Sequence, residues 1–94
     1  MDIHNNSEDS RFEVDLGDGL ALIQYRLRGD RISLIHTEVP PAHQGQGIAD
    51  QLAKYALEWS GNDGFAVLPY CPFVRAYIAR HPEYERLVAA DFPR

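Results

Sequence analysis

The sequence predicts an α/β domain with a mixed sheet, and three observations predict it. From Arg11 to about Val39, apolar residues recur mostly at period two, the pattern of half-buried strands. From about Gln46 to Ser60 they recur at helical spacing. The helical segment then leads into the short apolar run Phe65-Ala66-Val67-Leu68. A strand reached through a helix pairs in parallel with the strand before it. The expected architecture is an antiparallel β-meander, then a helix, a short parallel strand and C-terminal helices.

Residues 1–10 are polar and aperiodic and read as a flexible tail, so the expected domain spans residues 11–94. Phe12, Val14 and Leu16 alternate with Arg11, Glu13 and Asp15 as a first strand. Gly17-Asp18-Gly19 is a short turn. Ala21, Ile23, Tyr25 and Leu27 form one face of a second strand, with Gln24, Arg26 and Arg28 on the other. Gly29-Asp30 is a two-residue hairpin signal with glycine first. The third strand, Arg31 to about Val39, carries Leu34 beside Ile35, as a central strand covered on both faces would. Pro40-Pro41 ends it, because proline donates no ladder hydrogen bond.

Ile48, Leu52, Tyr55, Ala56 and Trp59 form the buried stripe of the helix from Gln46 to Ser60. Gly61 and Gly64 close it. Pro69 stops the fourth strand. Pro72 to Arg80 is a short helix with Phe73/Tyr77 and Val74/Ile78 as i,i+4 pairs, broken at His81-Pro82. Glu83 to Ala90 supplies one or two further turns.

Ninety-four residues leave room for one domain. Mass scaling gives a folded surface of roughly 5,500 Å² against roughly 15,500 Å² unfolded, enough burial for one core without staples. Fourteen acids against nine Lys and Arg give a net charge of −5, which argues against phosphate backbones and hence against nucleic acid. No apolar run approaches the roughly 18 residues of a membrane span. The N-terminal residues lack the basic flank and apolar stretch of a secretory signal, so the expected location is cytoplasmic. A lone cysteine, Cys71, forms no internal disulfide, and the four histidines show no metal-ligand spacing, so no metal is expected.

The most informative stretch is Gln44-Gly45-Gln46-Gly47-Ile48-Ala49, between a strand and a helix. Glycines let the backbone turn sharply and approach a ligand with no Cβ in the way. The first N–H groups of the following helix have no intrahelical acceptor, and with the helix dipole they suit phosphate oxygens. Neither the P-loop nor the dinucleotide fingerprint fits. On spacing alone, a turn that merely starts a helix explains these residues equally well.

Gln44-x-x-Gly47-x-Ala49 resembles the Gln/Arg-x-x-Gly-x-Gly/Ala motif of the GNAT acyl-CoA N-acyltransferase superfamily. His36-Thr37-Glu38-Val39-Pro40-Pro41, Val67-Leu68-Pro69-Tyr70-Cys71-Pro72-Phe73-Val74 and His81-Pro82-Glu83-Tyr84 are similar to a compact, single-domain subgroup of it with a Pro-x-Cys-Pro-Phe motif. The resemblance covers about residues 11–86. It implies that amides around Gln44, Gly45, Gln46, Gly47, Ile48 and Ala49 hold the pyrophosphate of acetyl-CoA. It further implies that pantetheine lies along the backbone from Thr37 to Val39, and that the thioester comes near Cys71. Most members carry one or two helices between their first two strands. Here Gly17-Asp18-Gly19 fills that interval, so the acceptor side is expected to be open.

Within that frame, Cys71 is the candidate acyl acceptor or proton donor, cysteine being a good nucleophile even at modest thiolate fractions. Glu38 is the candidate base for the attacking amine, with His36 on the same strand face. Tyr77 sits roughly where many members place the acid for the departing thiolate. Arg75, with Arg80, is a candidate fork donor to the CoA phosphates. The bland alternatives are a small buried cysteine, solvated strand-end groups, a tyrosine packed on Phe73 and a solvated helix face.

The leading expectation is an acetyl-CoA-dependent N-acetyltransferase acting on an amine, either a small molecule or a protein lysine or N-terminus. The acidic surface mildly favours a cationic acceptor through steering. The alternatives are an acyl-CoA-binding module without efficient transfer, and a protein-interaction domain that keeps only the fold. A monomer or weak dimer is expected.

Overall fold

The computed structural model describes residues 1–93, so Arg94, the last residue of the expected domain, lies outside the described residues. One sheet carries five strands in the order β1 (His4–Asn6), β2 (Arg11–Asp15), β3 (Leu20–Arg28), β4 (Arg31–Glu38) and β5 (Ala66–Pro69). The first four pair antiparallel, and β4 pairs with β5 in parallel. Helix α1 (Ile48–Asn62) makes the crossover between β4 and β5, and α2 (Pro72–Arg80) follows β5. Short 3-10 turns occupy Pro41–His43 and Pro82–Leu87. The accessible surface is 5502 Å², in line with the mass scaling.

The first ten residues are not a loose tail. His4–Asn6 pairs antiparallel with β2, and residues 7–10 turn the chain. This strand has almost no apolar pattern, and side chains hold it. The buried Tyr25 hydroxyl donates to Asn5 Oδ1 at 2.6 Å, and Asn6 and His4 both reach Glu13. Tyr25→Phe removes one such bond, worth about 1 kcal/mol net. The expected result is a midpoint lowered by roughly 4–8 °C with faster amide exchange at residues 4–6. Unchanged protection there would mean that something else docks β1.

The other boundaries move for local reasons. Helix α1 starts at Ile48 rather than Gln46, because Gly47 is its N-cap in a left-handed conformation (φ 80°) that glycine adopts without strain. It runs on to Asn62, through Gly61, whose missing Cβ leaves room for Leu87. β5 is Ala66–Pro69, one residue later than the apolar run suggests. Val88 then bridges Val67 in parallel and Ala89 N–H donates to Val67 O at 2.8 Å, so the chain end covers the free edge of β5.

Both helices lie on one face of the sheet. Phe12, Ile23, Ile32, Leu34 and Val67 from the strands pack with Leu52, Ala56 and Leu57 of α1 and Val74 and Ile78 of α2 in one core. The other face carries Arg11, Glu13, Gln24, Arg26, Arg28, Arg31 and Ser33, the cross-strand partners that alternate with the core residues. The turn between β2 and β3 leaves no chain to cover it.

One irregularity shapes β4. Tyr25 opposes Leu34 and Gln24 opposes His36, so Ile35 is an extra residue on β4, a β-bulge. Leu34 beside Ile35 is thus the mark of a bulge rather than of burial on two faces. Beyond it the alternation flips. Thr37, opposite Ile23, turns to the helix side, while His36 and Glu38 turn to the open face.

Candidate functional site

The site forms where β4 and β5 part. Their parallel register ends at Leu34 with Pro69, and Cys71 N–H donates to Leu34 O at 2.9 Å. β5 then leaves the sheet into α2, while β4 runs on to Glu38 with no strand pairing on that edge. The bulge and Pro69 act together: one re-aims β4, and the other ends the ladder from the opposite side. The result is a stretch of backbone open to a ligand between the sheet and α2.

Cys71 is the N-cap of α2 and is buried, at 4% exposure. Its Sγ lies 3.2 Å from Thr37 Oγ1, where either atom is able to donate. The bulge brings these two together, since without the flip Thr37 would face away from the helices. Arg75 is not beside the glycine loop. Its Nη1 donates to Pro69 O at 3.2 Å and Tyr70 O at 2.9 Å, which ties down the segment that carries Cys71. His36 and Glu38 share the open face, with Nε2 to Oε2 at 3.8 Å and both side chains more than half exposed.

Tyr77 belongs to a different neighbourhood. Its ring stacks on His81 at 4.0 Å and meets Arg80 and Tyr84. Burial, then the charges of Asp50, Glu83 and Glu58, push its phenol up. No hydrogen bond joins its hydroxyl to Cys71 or Glu38 among the described residues, although Tyr77 and Cys71 share the core. The same setting holds Tyr84, whose hydroxyl donates to Glu58 Oε2 at 2.8 Å and is pushed up to about 12, mainly by burial.

The glycine loop closes on itself. Gln44 Nε2 donates to Val39 O at 3.1 Å, so Val39 fixes the loop's entry and Gln44 is a brace. Gly45 (φ 82°) and Gly47 (φ 80°) are both left-handed, and an added Cβ at either would meet only open space. The first amides of α1, at Ile48, Ala49 and Asp50, have no side-chain cap, and the first helical bond is Gln51 N–H to Gly47 O at 3.2 Å. They face a surface cavity of about 240 Å³ lined also by Val39, His43 and Phe73. Asp50, an anion in the same cavity, is paired with Arg80 Nη2 at 3.2 Å. Phe73 lies two residues past Cys71, so the first turn of α2 joins the loop cavity to the cysteine.

His43 couples this loop to the β2–β3 turn. Its Nε2 lies 2.8 Å from Asp18 Oδ1 and its Nδ1 3.2 Å from Gln46 Oε1. Both partner atoms are oxygens, so the protonated ring, with a donor on each nitrogen, satisfies both at once. Asp18 first and Gln46 second hold the ring pKa above its ordinary 6.5, and His43 in turn lowers Asp18. The contribution from His43 is therefore complete below about pH 6.5 and lost as pH rises through the raised value. That from Asp18 is lost as pH falls through its lowered value. An NMR titration of the ring should show a pKa above 6.5 that drops in Asp18→Asn; equal values in both proteins would remove the link.

Sequence reasoning missed two members of this site and one contact between two that it named. Asp18 was legible only as a turn residue, Phe73 only as packing, and the Thr37–Cys71 contact depends on the bulge. No group of three or more His, Cys, Asp or Glu able to hold a metal occurs among the described residues, and no helix there is long and apolar enough to cross a membrane.

Comparison with known proteins agrees with this architecture. Residues 11–87 match the GCN5-related N-acetyl-transferase family. Protein NATD1 of Homo sapiens is 38% identical over 63 residues, 66% of this chain and 56% of that protein. Protein NATD1 of Danio rerio is 32% identical over 72 residues, 72% of this chain and 66% of that protein. The match spans 57% of the length of Protein NATD1 of Gallus gallus, little more than half. The solution structure of a GCN5-like putative N-acetyltransferase from Staphylococcus aureus superposes with a TM-score of 0.67. It covers 94% of this chain and 87% of that one at 22% identity, a likeness of fold.

Proposed function

The chain belongs to the GCN5-related N-acetyltransferase family, and on that premise we propose that it transfers an acetyl group from acetyl-CoA to an amine. The observation that carries this reading is the parting of β4 from β5. An open strand edge there runs between an uncapped helix N-terminus and a buried cysteine. The residues fit the group: amides and a helix dipole for the pyrophosphate, free backbone for pantetheine, and Cys71 with Thr37 at the thioester end.

In this reading the amine approaches from the open face, where Glu38, with His36 beside it, takes its proton directly or through water. The amine nitrogen bonds to the thioester carbonyl carbon and the C–S bond breaks. Cys71 acts at the carbonyl in one of two balanced ways. Its Sγ takes the acyl group first while its proton goes to the CoA thiolate; the amine then takes the acyl group from sulfur, which leaves as a thiolate and regains a proton as Glu38 gives up the one it took from the amine. Otherwise it only protonates the thiolate and regains a proton from solvent. Thr37 orients Sγ in either case. Arg75 holds the Cys71 segment and Tyr77 packs α2, which supports positioning roles for both.

The test is incubation with acetyl-CoA and a broad amine panel, following free thiol and acetylated product. Amine-dependent release of both is expected. The uncovered sheet face supports a second reading, a CoA-binding module. Tight binding with no product across the panel would favour it.

A further inference from the structure

The open sheet face carries a feature outside the machinery above. Arg26, Arg28 and Arg31, with Ser33, Leu68 and Tyr70, line a cavity of about 480 Å³. The arginines come together through register: Arg28 opposes Arg31 and Arg26 opposes Ser33 across β3 and β4. Like charges directly opposite are destabilising in a sheet, so this pair is a cost that packing does not explain. Arg31 is held by Asp91, through Nη2 at 2.7 Å and Nη1 at 3.2 Å. Its Nε is buried with no hydrogen-bond partner. The side chains of Arg26 and Arg28 have no ion pair or hydrogen bond among the described residues, in a chain of net charge −5. Elsewhere on this face the charges are matched, as Arg11 is by Glu13 and Asp9. Tyr70, half exposed, stands at the rim, its ring edge-on to Phe92 at 5.3 Å.

Uncompensated guanidiniums, a buried unpaired N–H and a cavity of this size together fit an oxyanion. The position says whose. Arg26 is two residues from Gln24, the partner of His36, on the same face of the same strand. At about 3.3 Å per residue, Arg26 at the near end of the cavity lies about 7 Å along the sheet from the level of His36 and about 13 Å from that of Glu38, which faces Leu22.

We propose that Arg26, Arg28 and Arg31 bind a phosphate or carboxylate on the acceptor, which thus carries an amine at one end and an oxyanion about 7–13 Å away. The anion site stands on the cavity alone, whereas its assignment to the acceptor rests on the acyl-transfer reading. It also reverses the expectation from net charge, because contact pairs at the site outweigh a long-range field that salt screens.

Two measurements test it. In the first, inorganic phosphate is titrated into isotope-labelled protein, following the arginine Nε–H signals. Saturable shifts at Arg26, Arg28 and Arg31 are expected, with affinity lower by tenfold or more in Arg26→Gln/Arg28→Gln. Single variants serve if the double one does not fold. No saturation, or equal affinity in the variants, overturns the site. In the second, acetyl transfer is compared for hexylamine, 6-aminohexanoate and 6-aminohexyl phosphate. The two anionic amines are expected to exceed hexylamine in kcat/KM by tenfold or more, and by about twofold at most in the double variant. Their ratio to each other tells carboxylate from phosphate. Equal kcat/KM for all three in the natural protein overturns the assignment to the acceptor. Transfer to none of them, with phosphate still bound, counts against acyl transfer and its acceptor and leaves the anion site standing.

Discussion

Replacing Cys71 with alanine lowers the rate of acetyl transfer by about 10²–10⁴-fold, the range for losing a proton-transfer group, while acetyl-CoA still binds. The thiol is buried and touches Thr37, so alanine leaves the fold and the open strand edge in place. It removes the one sulfur at the point where β5 leaves the sheet. In the proposed reading, binding rests on the glycine loop and the β4 backbone, which the substitution does not touch. Rapid quenching separates the two roles. A mass increase on the protein that chases to product identifies an acyl-cysteine, and no such species with the same rate loss identifies an acid. A full rate in Cys71→Ala would remove both roles.

Replacing Gly47 with valine weakens acetyl-CoA binding by roughly 5- to 150-fold. A β-branched residue held at φ 80° is strained by about 1–3 kcal/mol, and each 1.4 kcal/mol is tenfold in affinity. The space around Gly47 is open, so the conflict is with backbone conformation rather than with a neighbour. The loop relieves it by turning to negative φ, which swings the amides at the start of α1 away from their common direction. Binding must reverse that turn. Gly64→Val is the control, since Gly64 has a similar φ of 78° beyond the far end of α1. It is expected to lower stability and spare affinity. Equal loss in both variants would mean that the loop has no part in binding.

Periodicity made most of the fold legible. The meander, the crossover helix and the parallel strand all follow from a change of period. Helix α2 runs over Pro72–Arg80, the bounds that its two prolines set. β1 escaped notice because His4-Asn5-Asn6 has no apolar pattern, and the side chains that dock it come from residues up to Tyr25. The bulge escaped because Leu34-Ile35 reads the same way for a strand covered on both faces as for one extra residue. It decides which side chains meet, so Thr37 was placed by its backbone alone and its contact with Cys71 stayed hidden. The glycine loop was legible from composition. Of the bonds that hold it, the one from Gln44 to Val39 closes over five residues, while the one from His43 to Asp18 depends on a tertiary approach that no local pattern encodes.

The most direct test of acetyl-CoA binding is thermal unfolding with and without excess acetyl-CoA. Ligand at about 100 times its dissociation constant adds about 2.7 kcal/mol to the native state. Each kcal/mol moves the midpoint of a domain this size by roughly 4–8 °C. A rise of about ten degrees or more is the predicted result. No rise at millimolar acetyl-CoA would reduce the glycine loop to a turn that starts a helix and contradict the acyltransferase reading.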